Sequence, residues 1–134
     1  MTSFSLKIVT PDGLQFDGQA AELIVRTTTG DLGIMAKHIN CVAPLGMGRA
    51  MIITEGQKRY AACIGGMVSV VDGNVTLVPT TFEWAEAIDT GRVERSYQRA
   101  KKVLGSKDST ATEIKLAQAR LHRALVRKNV AETK

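Results

Sequence analysis

Arginine residues recur in the last third of this 134-residue chain at intervals of three and four positions. Residues so spaced are neighbours along one side of a helix. A first basic stripe comprises Arg92, Arg95, Arg99 and Lys102, and a second comprises Arg120, Arg123 and Arg127. The planar guanidinium group suits the paired oxygens of a carboxylate or a phosphate. The chemistry that this pattern predicts is the binding of an anion.

The charge of the chain is unevenly distributed along its length. Residues 1–88 contain six Lys and Arg against eight Asp and Glu, whereas residues 89–134 contain twelve against five. The net charge of +5 therefore originates in the C-terminal third. Such an excess indicates an acidic protein surface, a nucleotide or a nucleic acid as partner.

Motifs that would indicate an enzyme or a membrane protein are missing from the sequence. It contains neither a phosphate-binding glycine loop nor a Ser/His or Cys/His arrangement in a catalytic setting. Cys41 and Cys63 lie in apolar stretches and are interpreted as reduced core residues. No run approaches the roughly 20 apolar residues of a membrane span, and the N-terminus does not resemble an export signal. We expect an intracellular protein that reaches a membrane only through a partner.

The first part of the chain alternates between apolar and polar residues, as half-buried strands do. Asp72-Gly73-Asn74, between two β-branched runs, predicts a hairpin. Turns are also expected at Asp17-Gly18 and at Gly65-Gly66, because glycine commonly interrupts strands. Short strands separated in this way predict an antiparallel β-sandwich or flattened barrel over residues 1–84.

The periodicity changes to that of helices over residues 85–134. Asp89 is predicted to cap a helix that runs through Leu104 and stops at Gly105. Thr110 and Glu113 have capping-box spacing and open a second helix that extends to about residue 130. The short connection predicts an antiparallel helical hairpin, and the fold class is therefore α+β. The predicted apolar faces are Val93, Tyr97, Ala100 and Leu104 on the first helix, and Ile114, Ala117, Leu121, Ala124 and Leu125 on the second.

Three segments resemble the epsilon subunit of bacterial F-type ATP synthases. They read LKIVTPDG near the N-terminus, GDLGIMAKH in a central loop and VTLVPTTFEWAEAID at the junction with the helices. The family's loop commonly reads G-[ED]-[IL]-G-I-L-P-G-H, and its junction carries I/L-D-x-x-R-A. Here the junction motif is Ile88-Asp89-Thr90-Gly91-Arg92-Val93, with valine at the alanine position. The resemblance covers essentially the whole chain, with its segments in the family's order.

The resemblance implies a non-catalytic rotor subunit at the cytoplasmic face of the bacterial cell membrane, held there through the complex. The sandwich would contact the gamma subunit and the c-ring, with Asp31 and His38 at the rotor contact. The hairpin would fold on the sandwich or extend toward the catalytic beta subunits, where it inhibits ATP hydrolysis. Arg95 and Lys102 are the expected beta-subunit contacts.

The resemblance also implies ATP as a regulatory ligand, with no obligatory cofactor and no metal ligands. ATP would bind the folded hairpin and relieve inhibition. Asp89 is expected either to cap its helix or to face the base of the nucleotide, because a carboxylate beside phosphates repels them. The implied nucleotide-binding residues are Glu83, Ile88, Asp89, Arg92, Arg99, Arg123 and Arg127.

Two other classes remain open from the residues alone. A stand-alone nucleic-acid-binding module would use the basic helices, but aromatic residues make up only 4% of the chain, and Tyr97 alone lies near a basic stripe. Steep salt dependence of oligonucleotide binding would favour that module. A small enzyme would require a catalytic arrangement that the sequence does not contain.

Overall fold

The computed structural model describes residues 2–133 and contains eight strands followed by two helices. A short 3-10 helix, Ala85–Ala87, joins the two parts. The strands are β1 (Phe4–Thr10), β2 (Gly13–Ala20), β3 (Glu22–Thr27), β4 (Gly30–Met35), β5 (Cys41–Pro44), β6 (Met47–Thr54), β7 (Gln57–Val71) and β8 (Asn74–Trp84). The helices are α1 (Thr90–Gly105) and α2 (Ala111–Glu132). The predicted α+β class, a β-sandwich followed by a helical hairpin, is confirmed.

The strands are hydrogen-bonded in the order β2-β1-β8-β7-β6-β3-β4, with β5 paired to β7. All pairs are antiparallel except β1 with β8, which is parallel, so the sandwich is mostly rather than wholly antiparallel. Alternate residues of the strands point inward and are excluded from water, which is the main source of stability of the sandwich. The largest fully buried side chains include Leu6, Ile8, Leu23, Ile34, Ile52 and Leu77.

The turn expected at Gly65-Gly66 is wrong, because β7 continues through both glycines. Here the strand changes partner: its first half pairs with β6 and its second half with β5. Gly66 has φ +98°, and a Cβ there would lie 2.0 Å from the carbonyl oxygen of Val78. Glycine at position 66 therefore lets the backbone of β7 pass close to that of β8, and the strand continues instead of ending there.

The turn expected at Asp17-Gly18 is also wrong. Both residues lie inside β2, where Asp17 pairs with Lys7 and Gly18 with Leu6. Because β2 is at the edge of the sheet, a glycine within it loses few packing contacts. The hairpin predicted at Asp72-Gly73 is confirmed: both residues have positive φ, as a type I′ turn requires.

The helix boundaries follow the predicted caps. The Asp89 side chain accepts a hydrogen bond from the Arg92 backbone N–H at 3.0 Å, and Thr110 with Glu113 forms a complete capping box. Gly105 is the last residue of α1 rather than the residue after it, and α2 ends at Glu132. Both ends fall within two residues of the prediction.

The hairpin is folded against the sandwich through a second apolar cluster. Ala62 of β7 is buried in this cluster, and Met47 of β6 packs against it, beneath the end of α2. The prediction of Leu125 as a buried residue is wrong, since it is 42% exposed. The α2 residues that face this cluster are Ala124, Val126, Val130 and Ala131. The face of α2 that packs against the sandwich therefore differs from the apolar face that the sequence predicted.

Candidate anion-binding site

An ion pair joins the second helix to the last strand of the sandwich. Arg127 Nε lies 2.6 Å from Glu83 Oε1 and donates a hydrogen bond to it. The two side chains are 26% and 35% exposed, so solvent screens the pair only in part. The sequence resemblance assigned both residues to nucleotide binding, and in the folded hairpin they contact each other.

Beside this pair lies a groove of about 490 Å³ between β8, the junction and both helices, here called the junction groove. Glu83, Asp89, Arg92 and Arg127 line it, together with Val93. One Asp89 oxygen accepts the hydrogen bond that caps α1, as the sequence predicted. Asp12 lines it as well, so three carboxylates face two guanidinium groups and the junction groove has a formal excess of one negative charge.

A second groove, of about 410 Å³, lies between α1 and α2 and is here called the hairpin groove. Arg99 of α1 and Arg123 and Arg127 of α2 line it. Arg120 also lines it, although the resemblance had not assigned that residue to the site. The signal available in the sequence was the spacing of Arg120 from Arg123 and Arg127, which places all three on one side of the helix.

The two grooves are adjacent, because Ser96 and Arg127 line both. Together they gather six of the seven residues predicted to bind nucleotide. The seventh, Ile88, is buried in the apolar cluster between the sandwich and the hairpin. Ile88 therefore supports the junction from within, while charged side chains line the grooves.

The other predicted contact residues lie away from both grooves. Arg95 and Lys102 are exposed on α1 and line neither groove. Asp31 is in β4 and accepts a hydrogen bond from Arg26 at 2.6 Å, and this bond raises the pKa of Arg26. His38 follows β4 in a loop, where its Nδ1 lies 2.7 Å from the Ile39 carbonyl oxygen.

A separate polar contact links the helices outside the grooves. Lys128 Nζ of α2 lies 3.7 Å from Glu94 Oε2 of α1 and 5.3 Å from the centre of the Tyr97 ring. A hydrogen bond from Gln98 and the charge of Lys128 lower the pKa of Glu94. This contact supports the antiparallel pairing of the helices without using an arginine of either groove.

Within residues 2–133 there is no cluster of three or more His, Cys, Asp or Glu side chains that could hold a metal ion. Over the same range, neither helix is long and apolar enough to cross a membrane.

Comparisons with known proteins identify the same family for both halves of the chain. Residues 3–85 match the family described as the ATP synthase delta/epsilon chain beta-sandwich domain, and residues 86–132 match its long alpha-helix domain. The chain is 37% identical over 134 residues to the ATP synthase epsilon chain of Shouchella clausii, covering 100% of this chain and 98% of the relative. It is 39% identical to that of Ruminococcus albus over 135 residues, covering 100% of both.

Solved structures show the same fold. A chain in the Euglena gracilis mitochondrial ATP synthase structure of OSCP, F1 and c-ring aligns with a TM-score of 0.84 at 21% identity, covering 100% of this chain and 83% of its own length. A chain in the Tetrahymena thermophila central stalk and c-ring structure aligns with a TM-score of 0.61 at 16% identity, covering 95% of both. With both halves matched in order, this chain belongs to the ATP synthase delta/epsilon chain family, as an epsilon chain, a non-catalytic subunit.

Proposed function

We propose that the hairpin of this central-stalk subunit inhibits ATP hydrolysis when it extends, and that ATP relieves inhibition by binding the folded hairpin. The observation that carries the proposal is that the two grooves lie side by side and share Arg127. The junction groove exists only while α2 packs near β8, and the hairpin groove exists only while α2 packs against α1. A ligand that spans both stabilises only the folded arrangement, and so lowers the population that can extend.

The charges of the two grooves favour one orientation of the nucleotide. The hairpin groove carries four arginines and takes the phosphates. The junction groove contains the Glu83 and Asp89 carboxylates and takes the ribose and base, because carboxylates repel phosphates. Val93, which lines the junction groove, narrows the space beside the base compared with the alanine of the family motif.

The contacts between helices and sandwich support a hairpin that can leave. Its buried face consists largely of small side chains, Ala124, Val126, Val130 and Ala131. Each buries little apolar area, so separation costs less than the loss of a core built from large side chains. On release, Arg95 and Lys102, exposed already in the folded state, are free to meet carboxylates of a beta subunit.

The outer face of the sandwich supports a contact with the rotor. Met67 of β7 and Val78 of β8 are directly paired and both exposed, and Val42 and Val71 are exposed beside them. An apolar patch of this kind on a sheet face is typical of a protein interface. We infer that it meets the gamma subunit, and that Asp31 of β4 and His38 of the loop after β4 meet the c-ring.

The test is ATP hydrolysis by reconstituted ATP synthase with the full chain or with a chain truncated after Ile88. The truncated form should hydrolyse ATP faster at low ATP concentration, and the two forms should converge as ATP rises. Binding of the truncated chain to gamma and c-ring is measured alongside, so that loss of assembly is recognised. Equal rates at every ATP concentration in assembled complexes would show that the hairpin is not an inhibitor here.

A further inference from the structure

Four guanidinium groups from two helices converge on the hairpin groove. Arg99 comes from α1, and Arg120, Arg123 and Arg127 come from α2. The floor between them is made by Ala100 and Ala117, which are buried and short. Small residues let the helices approach closely, and this brings arginines from opposite sides toward a shared space.

The groove has little negative charge of its own. Among residues 2–133, Arg99, Arg120 and Arg123 have no ion pair, whereas Arg127 is paired with Glu83. Glu113, the carboxylate in the groove, accepts a hydrogen bond from the Thr110 backbone N–H in the capping box. Like charges held close together repel, so an anion that bridges them stabilises the arrangement.

We propose that the hairpin groove is a polyphosphate subsite that Arg120 completes, and that it binds a chain of three phosphates without a nucleoside attached. The inference deepens the proposed ATP site and rests on it for the ligand class. Arg120, Arg123 and Arg127 lie at successive three- and four-residue steps along α2, and Arg99 faces them from α1. This row matches an extended anion with charge along its length better than a single phosphate.

Arg120 differs from Arg127 in its position along α2. Arg127 is shared with the junction groove and Glu83, but Arg120 lines only the hairpin groove and lies farther from the junction. It is therefore placed to contact the end of the phosphate chain that is remote from the base. The number of phosphates, rather than the identity of the base, then dominates affinity.

The experiment is calorimetric titration of the full chain with sodium tripolyphosphate, ATP and AMP at fixed ionic strength. Tripolyphosphate and ATP should bind, and AMP should bind much more weakly. Arg120→Gln should lower the tripolyphosphate affinity about five- to tenfold, the loss of one charge-assisted contact at an exposed site. Arg120→Lys keeps the charge but not the planar fork, so its tripolyphosphate affinity should lie between those of wild type and Arg120→Gln.

Lys115→Gln is the matched control, because it removes one positive charge from α2 at a position that does not line the groove. It should change the affinity by less than about twofold, the size expected of a screened charge. Equal losses for Arg120→Gln and Lys115→Gln would overturn the subsite, and so would ATP binding without tripolyphosphate binding. Unchanged hydrolysis on truncation, with tripolyphosphate bound as described, would reject the inhibitory role and leave the subsite standing.

Discussion

The 2.6 Å contact between Arg127 Nε and Glu83 Oε1 connects an arginine that lines both grooves to the last strand of the sandwich. It helps to hold the hairpin closed without a ligand, since it joins α2 directly to β8. It also neutralises Arg127, which is then less available to a phosphate. The same ion pair thus stabilises the folded hairpin and competes with an anion.

Replacing Glu83 should separate these two effects. We expect Glu83→Gln to raise tripolyphosphate affinity about two- to fivefold, because Arg127 no longer has a carboxylate partner, a gain comparable to a partly exposed ion pair. The measurement is calorimetric titration. Glu132→Gln, which removes a negative charge from an exposed position of α2 outside both grooves, is the control and should have little effect. A fall in tripolyphosphate affinity for Glu83→Gln would contradict competition by the ion pair.

Gly66 should be among the positions least tolerant of a side chain. Gly66→Ala combines a left-handed backbone with a Cβ that would lie 2.0 Å from the Val78 carbonyl oxygen, so β7 and β8 must separate. We expect a loss of roughly 3 kcal/mol or more in the free energy of unfolding. Gly73→Ala is the matched control, with φ +82° but open space around its Cβ, and should cost about 1–2 kcal/mol. Equal losses in urea unfolding would show that the close approach to Val78 contributes nothing.

Local signals predicted the helices better than the strands. Asp89, Thr110 and Glu113 act within one helical turn, so the caps of both helices could be inferred from neighbouring residues. The role of Gly65 and Gly66 depends on β6, β5 and β8 together, and a sequence pattern contains no information on that exchange of partners. The exposure of Leu125 has the same cause. Apolar residues form overlapping stripes along α2, and contact with the sandwich decides which stripe is buried.

The family motif predicts part of the lining of the two grooves. The junction motif and its partners identified six residues that line the grooves, and the family assignment replaces the stand-alone nucleic-acid-binding alternative. Arg120 was recognised as basic and helical but not as part of the site, because its inclusion depends on the angle and spacing of α1 and α2. The Glu83–Arg127 contact was likewise beyond the sequence, since the two residues are 44 positions apart.

The buried thiol should make stability depend on alkaline pH. Burial raises the pKa of Cys63 to about 12 from an ordinary value of 9.0. The folded state therefore keeps this proton when the unfolded chain loses it, and stability is lost as pH rises above about 9, with a slope of up to about 1.4 kcal/mol per pH unit. Urea unfolding of wild type and Cys63→Ala between pH 8 and 11 measures the difference. Parallel pH profiles for the two proteins would contradict the effect; Cys41→Ala, at the less buried thiol, is the control.

A hairpin that exchanges between two anionic partners should respond differently to substitutions on different parts of one stripe. Arg92 lines the junction groove, and under the proposed function its loss removes a group that holds ATP in the folded state. Arg95 and Lys102 lie outside both grooves, and under the same proposal their loss removes groups that contact a beta subunit. In this proposal, loss of Arg92 disfavours the folded, ATP-bound hairpin. Loss of Arg95 and Lys102 instead disfavours the extended hairpin.

Arg92→Gln should strengthen inhibition of ATP hydrolysis in reconstituted ATP synthase, because the ATP concentration needed to close the hairpin rises. The loss of one charge-assisted contact corresponds to a shift of about tenfold in that concentration. The double variant Arg95→Gln/Lys102→Gln should instead relieve inhibition at low ATP and approach the rate of the chain truncated after Ile88. Hydrolysis rates across ATP concentrations, each compared with wild type and the truncated chain, distinguish the two. If both variants shift the rate in the same direction, the arginines of α1 serve one anionic partner, and the hairpin does not switch between nucleotide and beta subunit.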